Sequence, residues 1–193
     1  MRGRTWRTWR IGRARARENA LGRATRRFAA EHRGTSGIEF ALIAPILLLL
    51  LLGGTTVFTL VRDSRTAERA TYTVSDVLSR STTKPDLKAS HALFLAITRH
   101  APADVLFRVT SVKKVKDKMV IDWSRAQAPQ IPLTDLAPLA AKLPVVGDGD
   151  SILLVETSLT SRPLFSYLGV TDQTFAYLSA NRPRFVPALP APD

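Results

Sequence analysis

The sequence predicts an α+β protein: a long N-terminal transmembrane and stalk helix, then a small head with a short helix and an antiparallel sheet of about four strands. Three observations lead there. From Ile38 to Val61 only Glu39 carries a formal charge, and a helix of that length, at about 1.5 Å rise per residue, spans a ~30 Å hydrocarbon core. Past Val61, apolar residues return every third or fourth position. Past Pro102 the pattern shifts to alternation, the period of a strand.

Charge sets the orientation. The 193 residues allow one domain of ordinary size beyond the membrane segment, and the net charge of +12 is unevenly spread. Residues 1–34 hold eleven Arg against Glu18 and Glu31 alone, which is +9 of the total. By the positive-inside rule such a flank keeps the N-terminus cytoplasmic and sends the C-terminal part across the membrane. Zero cysteines fit an exported domain without disulfides but are also common in reduced compartments.

The basic leader, residues 1–34, sets Trp6 and Trp9 among Arg2, Arg4, Arg7 and Arg10, a pattern suited to aromatic rings at the bilayer interface and guanidinium groups on anionic headgroups. The same composition suits phosphate contacts to nucleic acid, but with a membrane span adjacent the lipid reading is simpler. Arg23 to His32 has the pattern of a short helix, with Leu21, Phe28 and Ala29 apolar; Arg23, Arg26, Arg27 and Arg33 hold the leader on the cytoplasmic side. A secretory signal peptide also joins a basic start to an apolar stretch. Its apolar region is about 7 to 15 residues and ends at a small-residue cleavage site, whereas this run is longer and passes into Gly53-Gly54-Thr55-Thr56.

Residues 35–61 form the transmembrane helix. A carboxylate in such a span costs roughly 2.5 to 3.5 kcal/mol at the bilayer centre, so Glu39 needs a reason. It stands five residues after Gly34, in the string Arg33-Gly34-Thr35-Ser36-Gly37-Ile38-Glu39-Phe40, with Pro45 eleven after the glycine. That arrangement resembles the type IV prepilin cleavage motif, and the fuller string resembles the TadE-like minor pilins or pseudopilins of tight-adherence pilus systems. The resemblance implies a pilin-like fold and cleavage by a prepilin peptidase between Gly34 and Thr35. Glycine, lacking a side chain, admits a protease close to the backbone. The new α-amino group of Thr35, with a reference pKa near 7.7 to 8.0, is largely positive at neutral pH. Glu39 of one subunit then pairs with that amine on a neighbour and sets the register, Phe40 and Pro45 completing the segment. The plainer reading leaves Glu39 at headgroup level.

Pro45 removes one backbone donor and is expected to bend the helix. Gly53 to Thr56 would admit a second helix closely, though ordinary membrane-helix composition explains them equally well. Residues 62–82 read as an amphipathic stalk: Leu60, Ala67, Ala70, Thr71, Val74, Val77 and Leu78 make the apolar side, and Arg62, Asp63, Arg65, Glu68, Arg69 and Asp76 fill the rest. From Ile38 to about Ser81 one helix of roughly 65 Å results.

The head is expected over residues 83–184, past the membrane. Ser81 to Asp86 offers a hydroxyl cap and a first-turn proline for a second helix, with Leu87, Ala89, Leu93, Phe94 and Ile97 inward and an end near His100-Ala101-Pro102. Val105, Phe107 and Val109 alternate with Arg108, Thr110 and Val112. A turn at Lys116-Asp117-Lys118 leads into Met119 to Ser124, with Ile121 and Trp123 inward. Leu133 to Leu143 reads as one short helix and Gly147 to Asp150 as a tight turn. Ser151 to Thr160, apolar on both faces at its centre, reads as a central strand paired with Gln173 to Ala180. Val120 to Ser124 and the closing Arg182-Pro183-Arg184 are similar to TadE-like segments. Residues 185–193, rich in Pro and Ala, read as a flexible tail.

Little here suggests catalysis or a cofactor. His32 falls in the leader, while His91 and His100, nine apart on one predicted helix, point to opposite sides. No nucleophile elbow or phosphate-binding loop is visible, and Asp148 and Asp150 are too few for a calcium loop. Lys113, Lys114, Lys116 and Lys118 suit acidic polysaccharide or, more simply, a solvated turn that blunts an edge strand. The sequence therefore reads as an adhesion-related pilus assembly component, a substrate of the peptidase and not an enzyme. Its expected partners are inner-membrane lipid, the peptidase, and other pilins or assembly-platform proteins. The rivals are an uncleaved single-pass envelope protein with a binding head and, further off, a nucleic-acid-binding protein.

Overall fold

One helix, α1 (Thr35–Ser79), carries both the apolar run and the stalk in the computed structural model, which describes residues 35–166 and 169–192. The chain divides into two compact units at Leu51/Leu52. The helix continues through Pro45, whose ring lacks the N–H that would meet the carbonyl of Ala41. Its hydroxyls are satisfied locally: Thr56 donates to the carbonyl of Leu52 and Thr71 to that of Ala67, each at 2.8 Å.

Four strands follow α2 (Leu87–Thr98): β1 (Val105–Val115), β2 (Lys118–Gln127), β3 (Ser151–Ser161) and β4 (Gln173–Asn181), in the order β2-β1-β3-β4 and antiparallel throughout. β1 and β2 meet at a two-residue turn in which Lys116 and Asp117 both have positive φ, the geometry whose twist matches a hairpin. Gly147 to Asp150 closes a turn through the Asp150 N–H to the Gly147 carbonyl at 3.1 Å. β3 is central, as its two-faced apolar run predicts. The core joins Ala67, Ala70, Val74 and Leu78 of α1 and Phe94 of α2 to Phe107 and Val109, Trp123, and Leu153, Val155 and Leu159 of the sheet.

Several expectations need correction. Asp63 is buried, because it shares the 63-67-70-74 stripe, while Val77 lies off it and is half exposed. α1 stops at Ser79, its last turn tightening through Arg80 and Ser81 N–H bonds to the carbonyls of Val77 and Leu78. α2 is capped by Asp86, which accepts from the Ala89 N–H at 2.9 Å, and not by a hydroxyl. Its buried row is Ser90, Phe94 and Thr98, and Ala89 faces solvent. Arg99 ends it in the left-handed conformation, its N–H on the carbonyl of Leu95. The register of β1 against β2 shifts between Ser111 and Val112, so Trp123 pairs with Ser111 and Ile121 with Val112; the extra residue, Asp122, puts Ile121 on the face opposite Trp123. The expected helix over Leu133 to Leu143 is a 3-10 turn, Ala137–Lys142.

The chain past Arg184 is docked. Leu189 is buried, its carbonyl accepts from Trp123 Nε1 at 2.8 Å, and the Pro187 carbonyl accepts from Ser151 Oγ at 2.6 Å. The tail read as flexible packs because Val186 and Leu189 are apolar and the indole N–H needs an acceptor.

Candidate functional site

The first turns of α1 hold the residues singled out for function. Between Ile38 and Leu51 ten large apolar side chains are each more than half exposed: Ile38, Phe40, Leu42, Ile43, Ile46 and Leu47 to Leu51. Leaving that many side chains in water forgoes about 15–30 kcal/mol at 1.5–3 kcal/mol each. The span is long and apolar enough to cross a membrane, with a mean hydropathy of 2.4 and 6% of its most apolar window buried. A soluble protein would cover such a helix with its own chain.

Glu39 is exposed on this surface and has no side-chain partner among the described residues. Thr35 lies four residues earlier on the same helix, so the two backbone positions share one side of α1. Phe40 is the next residue along, about 100° around the axis, and Pro45 continues the helix without ending it. Gly34 and the arginines Arg23, Arg26, Arg27 and Arg33 lie outside the described residues.

Elsewhere, polar side chains act as fasteners. Ser161 Oγ donates to Asp63 Oδ2 at 2.6 Å, and His100 Nε2 stands 3.5 Å from the same oxygen. The carboxylate, and not the imidazole, stands next to the hydroxyl, so this trio lacks the base that would activate a nucleophile. It ties α1 to β3 and to the chain after α2. Thr71 and Thr157 hydroxyls meet at 2.6 Å, Ser64 and Tyr177 at 2.7 Å, and Asn181 donates to Ser75 at 2.8 Å. On the other face, Arg108 grips Glu156 through two bonds of 2.7 Å and donates to the Ile131 carbonyl. Sequence reasoning missed these pairs because their members are 23 to 113 residues apart.

Two of the four hairpin lysines are engaged, Lys113 with Asp122 at 2.7 Å and Lys114 with Asp117 at 2.9 Å. Asp150 is paired with Arg182, and among the described residues no group of three or more acidic, His or Cys side chains gathers for a metal. His91 packs on Phe107, ring centroids 5.6 Å apart, with its Nε2 buried and unpartnered. Burial pushes its imidazole below the ordinary value.

Compared with known families, the chain matches the model of the TadE-like proteins over residues 34–76. The match starts at Gly34, takes in the lone carboxylate and the apolar run, and stops at Asp76 within α1. It supports a part for the protein in a tight-adherence pilus system, with other pilus components as partners. The similarities at Val120 to Ser124 and Arg182 to Arg184 lie outside the matched residues. No curated protein and no solved structure matches the chain.

Proposed function

We propose that the protein is a minor pilin or pseudopilin of a tight-adherence type IV pilus system, inserted once in the bacterial inner membrane with its N-terminus cytoplasmic. A prepilin peptidase cuts between Gly34 and Thr35. The mature chain then joins other pilins or the assembly platform through its apolar helix. The observation that carries this reading is the exposed helix opened by a carboxylate that has no side-chain partner among the described residues. In lipid that charge is stable only against a compensating group, and the amine that cleavage creates on Thr35 of a neighbour has the right sign. Phe40 and Pro45 shape the same contact surface, and Arg23, Arg26, Arg27 and Arg33 keep the leader where the peptidase acts.

N-terminal sequencing of the protein from cells with and without the peptidase tests the proposal. A chain starting at Thr35 only when the peptidase is present is the expected outcome. An intact Met1 in both would turn the reading toward a permanently anchored envelope protein.

A further inference from the structure

The two ends of the sheet are built differently. At one end β1 and β2 are joined by the tight Lys116-Asp117 turn, ringed by lysines. At the other, β3 and β4 are joined by residues 162–172, a connection far longer than the usual two to five residues of a hairpin. Within this connection Leu164 is 57% exposed and Phe165 and Val170 are half-buried. Loops positioned by a rigid scaffold carry binding residues disproportionately.

This end of the sheet is level with the start of the stalk. Ser161, the last residue of β3, bonds Asp63, and His100 approaches the same carboxylate. Asp63 is two residues past Val61, about 3 Å along the helix axis. There Val57, Phe58 and Val61 are each more than half exposed and end the apolar stretch. Ile38 to Val61 exceeds the ~20 residues a bilayer core requires, so its last turn reaches the headgroups. Arg62, Arg65, Arg99 and Arg162 expose their side chains at the same level. Asp63, Glu68, Asp104 and Asp172 stand among them, so the surface has little net charge and no call for anionic lipid in particular.

We propose that the first residues of the β3–β4 connection, Arg162 to Phe165, seat the head on the bilayer, Leu164 entering the headgroup zone beside the helix exit and the arginines meeting phospholipid phosphates. The contact continues the exposed Val57, Phe58 and Val61 of α1 onto the head and rests on the membrane reading above. Residues with an apolar body near a polar rim are stable at that depth.

The chain has no cysteine, so a single cysteine carries a fluorophore cleanly. The full chain is reconstituted in phosphatidylcholine vesicles containing nitroxide lipids, with the probe at Leu50, Ser166 or Lys116. Probes at Leu50 and Ser166 are expected to be quenched, and the Lys116 probe not. Leu164→Asp lowers quenching at Ser166 severalfold and leaves Leu50 unchanged, and molar salt has little effect. A lipid-quenched Leu50 with a water-exposed Ser166 overturns this inference and leaves the membrane reading standing. A blue-shifted but unquenched Ser166 also overturns it, because protein and not lipid then covers the loop. A water-exposed Leu50 overturns the membrane reading itself.

Discussion

The two halves of α1 invert the usual relation between residue size and burial. Between Ile38 and Leu51 the helix carries Leu, Ile and Phe and exposes them; between Leu60 and Leu78 it carries Ala, Thr, Ser and Val and buries one side of them. Small side chains let the second half lie close to β3 and β4, close enough for the 2.6 Å contact between Thr71 and Thr157. The first half has no such partner among the described residues. One half thus answers to the sheet, and the other is long and apolar enough to cross a membrane.

The sharpest way to break that comparison is to damage one half and read the other. Phe94→Ala, in the core under the stalk, is expected to cost about 3–5 kcal/mol of head stability by denaturant unfolding, while membrane extraction stays unchanged. The converse change, Leu48→Arg, is expected to cost about 2.5–3.5 kcal/mol of insertion and to release protein into carbonate washes without moving the unfolding midpoint. Equal sensitivity of both measurements to both changes would mean the halves are not separate. Removing residues 185–193 is expected to cost about 2–3 kcal/mol, since it uncovers the core at Leu189 and leaves Trp123 Nε1 without its acceptor. A free tail would cost nothing. Thr157→Val removes one cross-element hydrogen bond while Thr71 keeps its bond to Ala67, for about 1 kcal/mol.

The smallest effect is with pH. His91 in the fold titrates below the ordinary imidazole value of about 6.5, so between the two values the unfolded chain binds more protons. Head stability is then full above about 6.5 and declines as pH falls through that value toward the folded one. His91→Leu is expected to flatten that decline in unfolding curves collected across the range.

Much of the fold was legible because its cues are local. The charge-free run, the Lys116-Asp117 turn, the two-faced apolar centre of Ser151 to Thr160 and the Gly147 to Asp150 turn each depend on residues within a few positions. The likeness of residues 34–76 to TadE-like proteins was legible too, since Gly34, Glu39, Phe40 and Pro45 form a spacing and not a contact. Where reading failed, a distant partner had changed the outcome. Asp63 looked like a surface charge until Ser161 and His100 reached it. Ile121 looked inward until one extra residue in β2 turned it over. The tail looked mobile until an indole found its carbonyl.

Sequence by itself determined the membrane-length helix, the order of the strands along the chain and the lone carboxylate that opens the apolar run, because hydropathy, period and turn chemistry are properties of neighbours. Only the tertiary structure decided that Asp63 joins the buried side of α1, how Arg108 and Glu156 neutralise each other across β1 and β3, and which end of the sheet meets Asp63. Those outcomes depend on which surfaces the chain brings together, and local pattern carries no record of that.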